Sequence, residues 1–254
     1  MRRAQAVLVS VLLAVSAFGA PAQEASAYQG SAWSNSDSFG TRCLGFVDAY
    51  PQKLYSLART QMAALGYGPI GGAIGSAFTR SAVLARVMPD FAVYVHSHGD
   101  NYWASAGAPK IDSGFLQDPG LSRCSDHRKD VVRSSAIKTA TQGAVFNLVI
   151  MSTCMLGSNA STMPGAFQIE KVKNSRDREF FLGYVNHTYD SDSYRFEKAF
   201  WSYLSRGSST PKTLYRAFVY ASSIGGYDAP DAADPFQANW WGNPNFSGNP
   251  ELPA

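Results

Sequence analysis

Charge is low in this chain. Asp, Glu, Lys and Arg together supply 16 % of its 254 residues, the formal net charge is +3, and no cluster of lysines and arginines alternates with aromatics. Such a surface offers neither a groove that tracks phosphates nor a polybasic patch for an anionic bilayer, so nucleic acid is not an expected partner. Long apolar runs are missing beyond the first residues: after Ala20 nothing is apolar enough to span a bilayer, and no membrane association is expected once the N-terminus is removed. The absence of any G-x-S-x-G sets aside the serine nucleophile elbow.

Cysteine is scarce as well, and its odd count carries information. Met1-Arg2-Arg3 is a basic start, Ala4 to Ala20 is apolar, and Ala20-Pro21-Ala22 and Ala25-Ser26-Ala27 are small-x-small cleavage sites. Residues 1–27 therefore read as a signal peptide cleaved after Ala27, and the mature chain as secreted and extracellular. Three cysteines in an exported protein leave one unpaired thiol. Cys124 lies in the polar stretch Leu121 to Asp126, where a crosslink is easily accommodated, whereas Cys154 ends an apolar run. Of the three possible pairs, Cys43 with Cys124 is the expected disulfide, with Cys154 left as the thiol.

Residues 28–40, rich in Ser and Gly, read as a flexible lead-in, and residues 41–254 as a single domain with a Gly/Pro/Asn-rich tail. Cys43 to Val47 reads as a first strand. Pro51 to Leu65 reads as a helix with Leu54, Leu57, Ala58 and Met62 on one stripe. A formal G-x-G-x-x-G at Gly66, Gly68 and Gly71 is read as loop, because it follows a helix and contains Pro69, whereas a dinucleotide fingerprint follows a strand. Further helices are expected at Phe78 to Val87, Asp130 to Thr141, Tyr194 to Ser205 and Thr213 to Ser223. Further strands are expected at Phe91 to Val95, Phe146 to Met151 and Phe180 to Val185, with Ala238 to Trp241 as a closing edge strand. Asp112 to Lys129 reads as loop. Strands alternating with helices predict an α/β fold with a mainly parallel sheet covered on both faces.

Two motifs follow apolar strands: His96-Ser-His98-Gly-Asp100 and Ser152-Thr-Cys154. In open α/β sheets, groups at the carboxyl ends of strands share one crevice, so a histidine and a cysteine far apart in sequence meet there. His98 then serves as the proton acceptor for Cys154, and the backbone amides of Gly99 and Cys154 form an oxyanion hole. Period-two alternation puts His96 on the same face as His98. Two other readings start from the same residues. His96, His98 and Asp100 match the beginning of an H-x-H-x-D-H zinc motif, which breaks at Asn101. A scaffold that binds without catalysis is the other, since fold does not guarantee activity.

The paired motif resembles the caspase-like cysteine peptidases, the group that holds gingipains, clostripain, legumain and separase. An apolar strand ending in His-Gly is followed by an apolar strand ending in a small residue and Cys, in that order; Thr153 stands where many members have Ala. Leu65-Gly-Tyr67, Phe181-Leu-Gly-Tyr184 and the helix pair broken at Gly207 extend the resemblance over Cys43 to Trp241. It implies a three-layer caspase-like fold, endopeptidase activity on a peptide or protein substrate, no cofactor and no catalytic metal. It also implies a specificity pocket, for which Asp100, Asp190 and Asp192 are the acidic candidates. The charged segment Glu170 to Glu179 stands where caspases carry a processed linker, with Lys171, Lys173, Arg176 and Arg178 as possible self-cleavage points.

Overall fold

Parallel strands require crossovers, and which face each crossover helix covers decides where the core lies. The computed structural model describes residues 28–35, 49–103, 110–116, 131–142, 144–206, 212–227 and 235–251. In chain order the described elements are β1 (Gln29–Ser34), α1 (Tyr50–Ala64), β2 (Ile70–Ile74), α2 (Arg80–Val87), β3 (Asp90–His96), β4 (Gly99–Trp103), β5 (Lys110–Leu116) and β6 (Val131–Arg133). They continue with α3 (Ser134–Ala140), β7 (Leu148–Ser152), α4 (Met163–Ala166), β8 (Phe180–Tyr184), α5 (Asp190–Ser205), α6 (Leu214–Ile224) and β9 (Ala238–Gly242). The main sheet runs β2-β1-β3-β7-β8-β9 and is parallel except for its antiparallel edge β9. A small antiparallel sheet, β4-β5-β6, departs where β3 ends.

Alternation along each strand builds two cores. Ala92 and Tyr94 of β3, Leu148 and Ile150 of β7, and Leu182 and Tyr184 of β8 pack with Leu54, Ala58 and Met62 of α1 and with Phe196, Phe200 and Leu214 of α5 and α6. The intervening Val93, Val95, Val149, Met151 and Phe181 pack on the other side with Val83 and Val87 of α2, Ile137 of α3 and Met163 of α4. Each fully buried aromatic or aliphatic side chain contributes about 1.5–3 kcal/mol. Local signals agree with the packing: Pro51 opens α1, and the Thr79 and Thr213 hydroxyls accept from Ala82 and Arg216 N–H to cap α2 and α6. The result is the expected three-layer α/β fold with a mainly parallel sheet and helices on both faces.

Some local expectations are corrected. The Ser/Gly-rich lead-in contains β1, a buried strand lying between β2 and β3. Small residues are needed there: a Cβ on Gly30 would come within 2.9 Å of Met62 Cε on α1. The glycine stretch read as loop contains edge strand β2, where Gly72 has φ +90 and a Cβ would overlap the Ala32 carbonyl. Part of the Asp112 to Lys129 loop is β5, and the helix expected from Asp130 begins at Ser134, after β6. The signal peptide, the Cys43 to Val47 strand and the Cys43–Cys124 disulfide lie outside the described residues.

Candidate active site

His96 and Ser152 are the last residues of β3 and β7 and lie side by side in register. Their parity matches Tyr94 and Ile150, so both side chains turn to the face covered by α5. His96 is buried; its Nδ1 is 3.0 Å from Ser152 Oγ and its Nε2 is 3.6 Å from Oδ1 of Asp190, the first residue of α5. Two turns further along the same helix face is Glu197, also buried. Tyr94 Oη donates to Glu197 Oε2 at 2.8 Å and Tyr184 Oη donates to Oε1 at 3.0 Å. Burial pushes the Glu197 carboxyl up to about 7, opposed by the hydroxyls of Ser152, Tyr94 and Tyr184 and reinforced by the charge of Asp190. Both phenols are raised well above their ordinary value, first by burial and then by the Glu197 charge.

Above this floor, His98 and Cys154 line one cavity of about 30 Å³ together with Asn35, Thr188 and Asp190. That volume holds about two waters, enough for a reacting group and not for a whole side chain. Cys154 is a thiol outside any disulfide, and only 7 % of it is exposed. The Thr188 N–H donates to Sγ at 3.4 Å, an arrangement that favours negative charge on sulfur, and the Thr188 carbonyl lies 3.9 Å from the same atom. The chain turns sharply after Cys154, with Met155 in the left-handed region at φ 66. Gly157 then donates its N–H to the Tyr184 carbonyl at 2.7 Å and packs directly on Gly183, which ties the loop to β8. Gly99 abuts the Cys154 backbone so closely that a Cβ would overlap its carbonyl oxygen. The strand ends are joined by Asn35 N–H to the His96 carbonyl at 3.2 Å, Ser97 N–H to the Ser152 carbonyl at 3.4 Å, and Asn35 Nδ2 to Ser97 Oγ at 3.0 Å.

The structure brings His96, His98, Cys154 and Asp190 to one place and separates others from it. His98 is exposed and lies in the bend between β3 and β4, so its approach to the cavity comes from the turn and not from continued strand alternation. Of the three acidic candidates only Asp190 lines the cavity, where it faces His96. Asp192 is buried beside a different groove, with Tyr50 and Lys53, and Asp100 is in β4. The zinc reading is not supported by the arrangement: among the described residues no three of His, Cys, Asp and Glu converge as ligands. The charged segment is held against the fold, with Glu179 accepting from Glu170 N–H, Arg178 donating to the Pro250 carbonyl and Lys173 to Asn239 Oδ1. Sequence reasoning missed Asn35, Thr188 and Glu197, and took Ser152 only as part of the cysteine motif; a polar residue at a strand end or on a helix gives no distinctive pattern.

No family model matches the chain, and no curated protein matches it. Among solved structures it is similar to the crystal structure of the Arg-specific cysteine proteinase gingipain R, with a TM-score of 0.54 and 10 % sequence identity. The match covers 86 % of this chain and 46 % of that one, so the chain spans about half the length of that protein. At this identity the likeness is one of architecture: the chain has a three-layer α/β fold of the caspase-like kind.

Proposed function

We propose that this protein is a cysteine endopeptidase, or a related acyl-transfer hydrolase, with Cys154 as nucleophile and His98 as general base. The observation that carries the reading is that His98 and Cys154, delivered by the ends of adjacent parallel strands, line the same cavity. His98 takes the thiol proton, and Sγ attacks the carbonyl carbon of a substrate amide. The tetrahedral oxyanion is received by the amides of Gly99 and Cys154. The amine then leaves with the proton from His98, and water, deprotonated by the same ring, releases the acid and restores the thiol. Asp190 lines the cavity and is the remaining candidate for attracting a basic substrate residue. Export follows from the N-terminal signal, and the mature protein from the medium is expected to begin at Tyr28.

The test is iodoacetamide labelling with cleavage of a peptide library by wild type, Cys154→Ala and His98→Ala, each with and without chelator. The expected result is labelling at Cys154, cleavage lost in both variants, and indifference to chelator. Full activity in Cys154→Ala would end the proposal. A wild-type chain that binds library peptides without cutting them would support a non-catalytic scaffold instead.

A further inference from the structure

Glu197, Ser152 and His96 have no part in the chemistry just proposed. Glu197 is a buried carboxylate with fixed donors on both oxygens, Tyr94 on Oε2 and Tyr184 on Oε1. The groups acting on it include Tyr94 of β3, Tyr184 of β8, Ser152 of β7 and Asp190 of its own helix. Ser152 faces Glu197 on one side and is 3.0 Å from His96 Nδ1 on the other, and His96 Nε2 faces Asp190. We propose that Glu197, Ser152 and His96 share one proton, and that its position decides whether the imidazole lining the Cys154 cavity is neutral or cationic. The proposal deepens the reading of Cys154 as nucleophile and rests on it; His96 is a positioning residue, acting on the sulfur through its charge.

A hydroxyl has one proton to give, which fixes the two forms of the chain. In one, Glu197 is protonated and donates to Ser152 Oγ, Ser152 donates to His96 Nδ1, and the neutral ring donates from Nε2 to Asp190. In the other, the Glu197 proton has passed to Ser152 and the Ser152 proton to Nδ1, so Ser152 donates to an ionised Glu197 and accepts from the ring. One O–H bond breaks and one N–H bond forms, with the Ser152 hydroxyl exchanged between them, and net charge is unchanged. The imidazolium is then held between Asp190 and Glu197, where it favours a thiolate in the same cavity. The raised value of the Glu197 carboxyl keeps its proton within reach of the ring near neutral pH.

The experiment follows the His96 ring nitrogens by NMR, and the pH profile of Cys154 alkylation, in wild type, Glu197→Gln, Ser152→Ala and Ser152→Thr. In wild type the Nδ1 signal is expected to titrate together with the Glu197 carboxyl carbon. In Glu197→Gln the ring is expected to stay neutral with the proton on Nε2, and alkylation near neutral pH to slow about tenfold, the equivalent of one pKa unit. Ser152→Ala is expected to uncouple the two titrations and Ser152→Thr, which keeps the hydroxyl, to retain the coupling. Identical ring titrations in wild type and in whichever of the Glu197→Gln and Ser152→Ala variants fold would overturn the proposal. Failure of the nucleophile reading looks different: Cys154 alkylation leaves peptide cleavage intact while the ring signals still answer to Glu197.

Discussion

Gly99 lies so close to Cys154 that a methyl group on its Cα would overlap the Cys154 carbonyl oxygen and come within 3.0 Å of Thr153 Cβ. The requirement is for space and not for an unusual backbone angle, since Gly99 is absent from the glycines with positive φ. Gly99→Ala is therefore expected to push the β4 end away from the cysteine loop. Overpacking of this kind costs about 1–3 kcal/mol. Urea unfolding is expected to register that loss and iodoacetamide to react more slowly with Cys154; wild-type values of both would show that the two segments have room to part.

Thr153, next to the sulfur, buries a hydroxyl that meets no partner among the described residues. Thr153→Val keeps the branched shape and removes the stranded polar atom. An unsatisfied buried hydroxyl costs about 1–3 kcal/mol, so the variant is expected to be more stable by about 1 kcal/mol with Cys154 reactivity unchanged. Thermal unfolding measures it, and a lower melting temperature would mean that the hydroxyl is satisfied after all.

Glu197 predicts how stability varies with pH. Its carboxyl returns to the ordinary value of 4.5 on unfolding, whereas burial holds it up to about 7 in the fold. Between those values the folded protein keeps a proton that the unfolded chain has lost, so this group's penalty grows as pH rises towards 7 and is constant above it. The full effect is about 3 kcal/mol. Glu197→Gln removes the ionisation, and urea midpoints for the two proteins are expected to approach each other near pH 5 and diverge near pH 8, with the variant the more stable. Parallel curves would place the carboxyl outside that window.

Asp90, at the start of β3, is buried with Arg86 Nε 3.0 Å from its Oδ1. Burial is the main cause that lifts this carboxyl to about 6, against the lowering effect of Ser31 and Arg86. Arg86→Ala leaves a buried carboxylate without its cation, and above pH 6 the expected loss is about 3 kcal/mol. Near pH 5 the carboxyl is protonated in the fold and the loss is expected to shrink. A loss independent of pH would assign the effect to packing of the arginine stem.

Apolar periodicity was enough to place β3, β7, β8, α1 and α6, because their buried faces are made of large side chains at the right spacing. It failed at β1, whose Gly30, Ser31 and Ala32 are small so that α1 can approach, and whose Trp33 is the only large apolar residue. It failed at β2 for the same reason. His98 and Cys154 line one cavity, and most of the residues around them left no mark in the sequence. Glu197 reads as a solvated acid within a helix and Asp190 as a pocket acid with no link to His96; only the crossover from β8 into α5 lays their shared face over His96 and Ser152. His96, read as a neighbour sharing His98's strand face, proved to be the buried member of the pair, because β3 ends at His96 and His98 belongs to the bend.

That bend joins two sheets that differ in anchorage. Cys154 is pinned on three sides, by β7 behind it, by the Gly157–Gly183 contact and by the Thr188 amide. His98 stands at the root of the β4-β5-β6 sheet, which among the described residues pairs with no strand of the main sheet. Cys154 is thus mounted on the main sheet and His98 on the turn into the small one. Cys154 therefore answers to the packing of the main sheet, and His98 to the path of the turn that leads into β4.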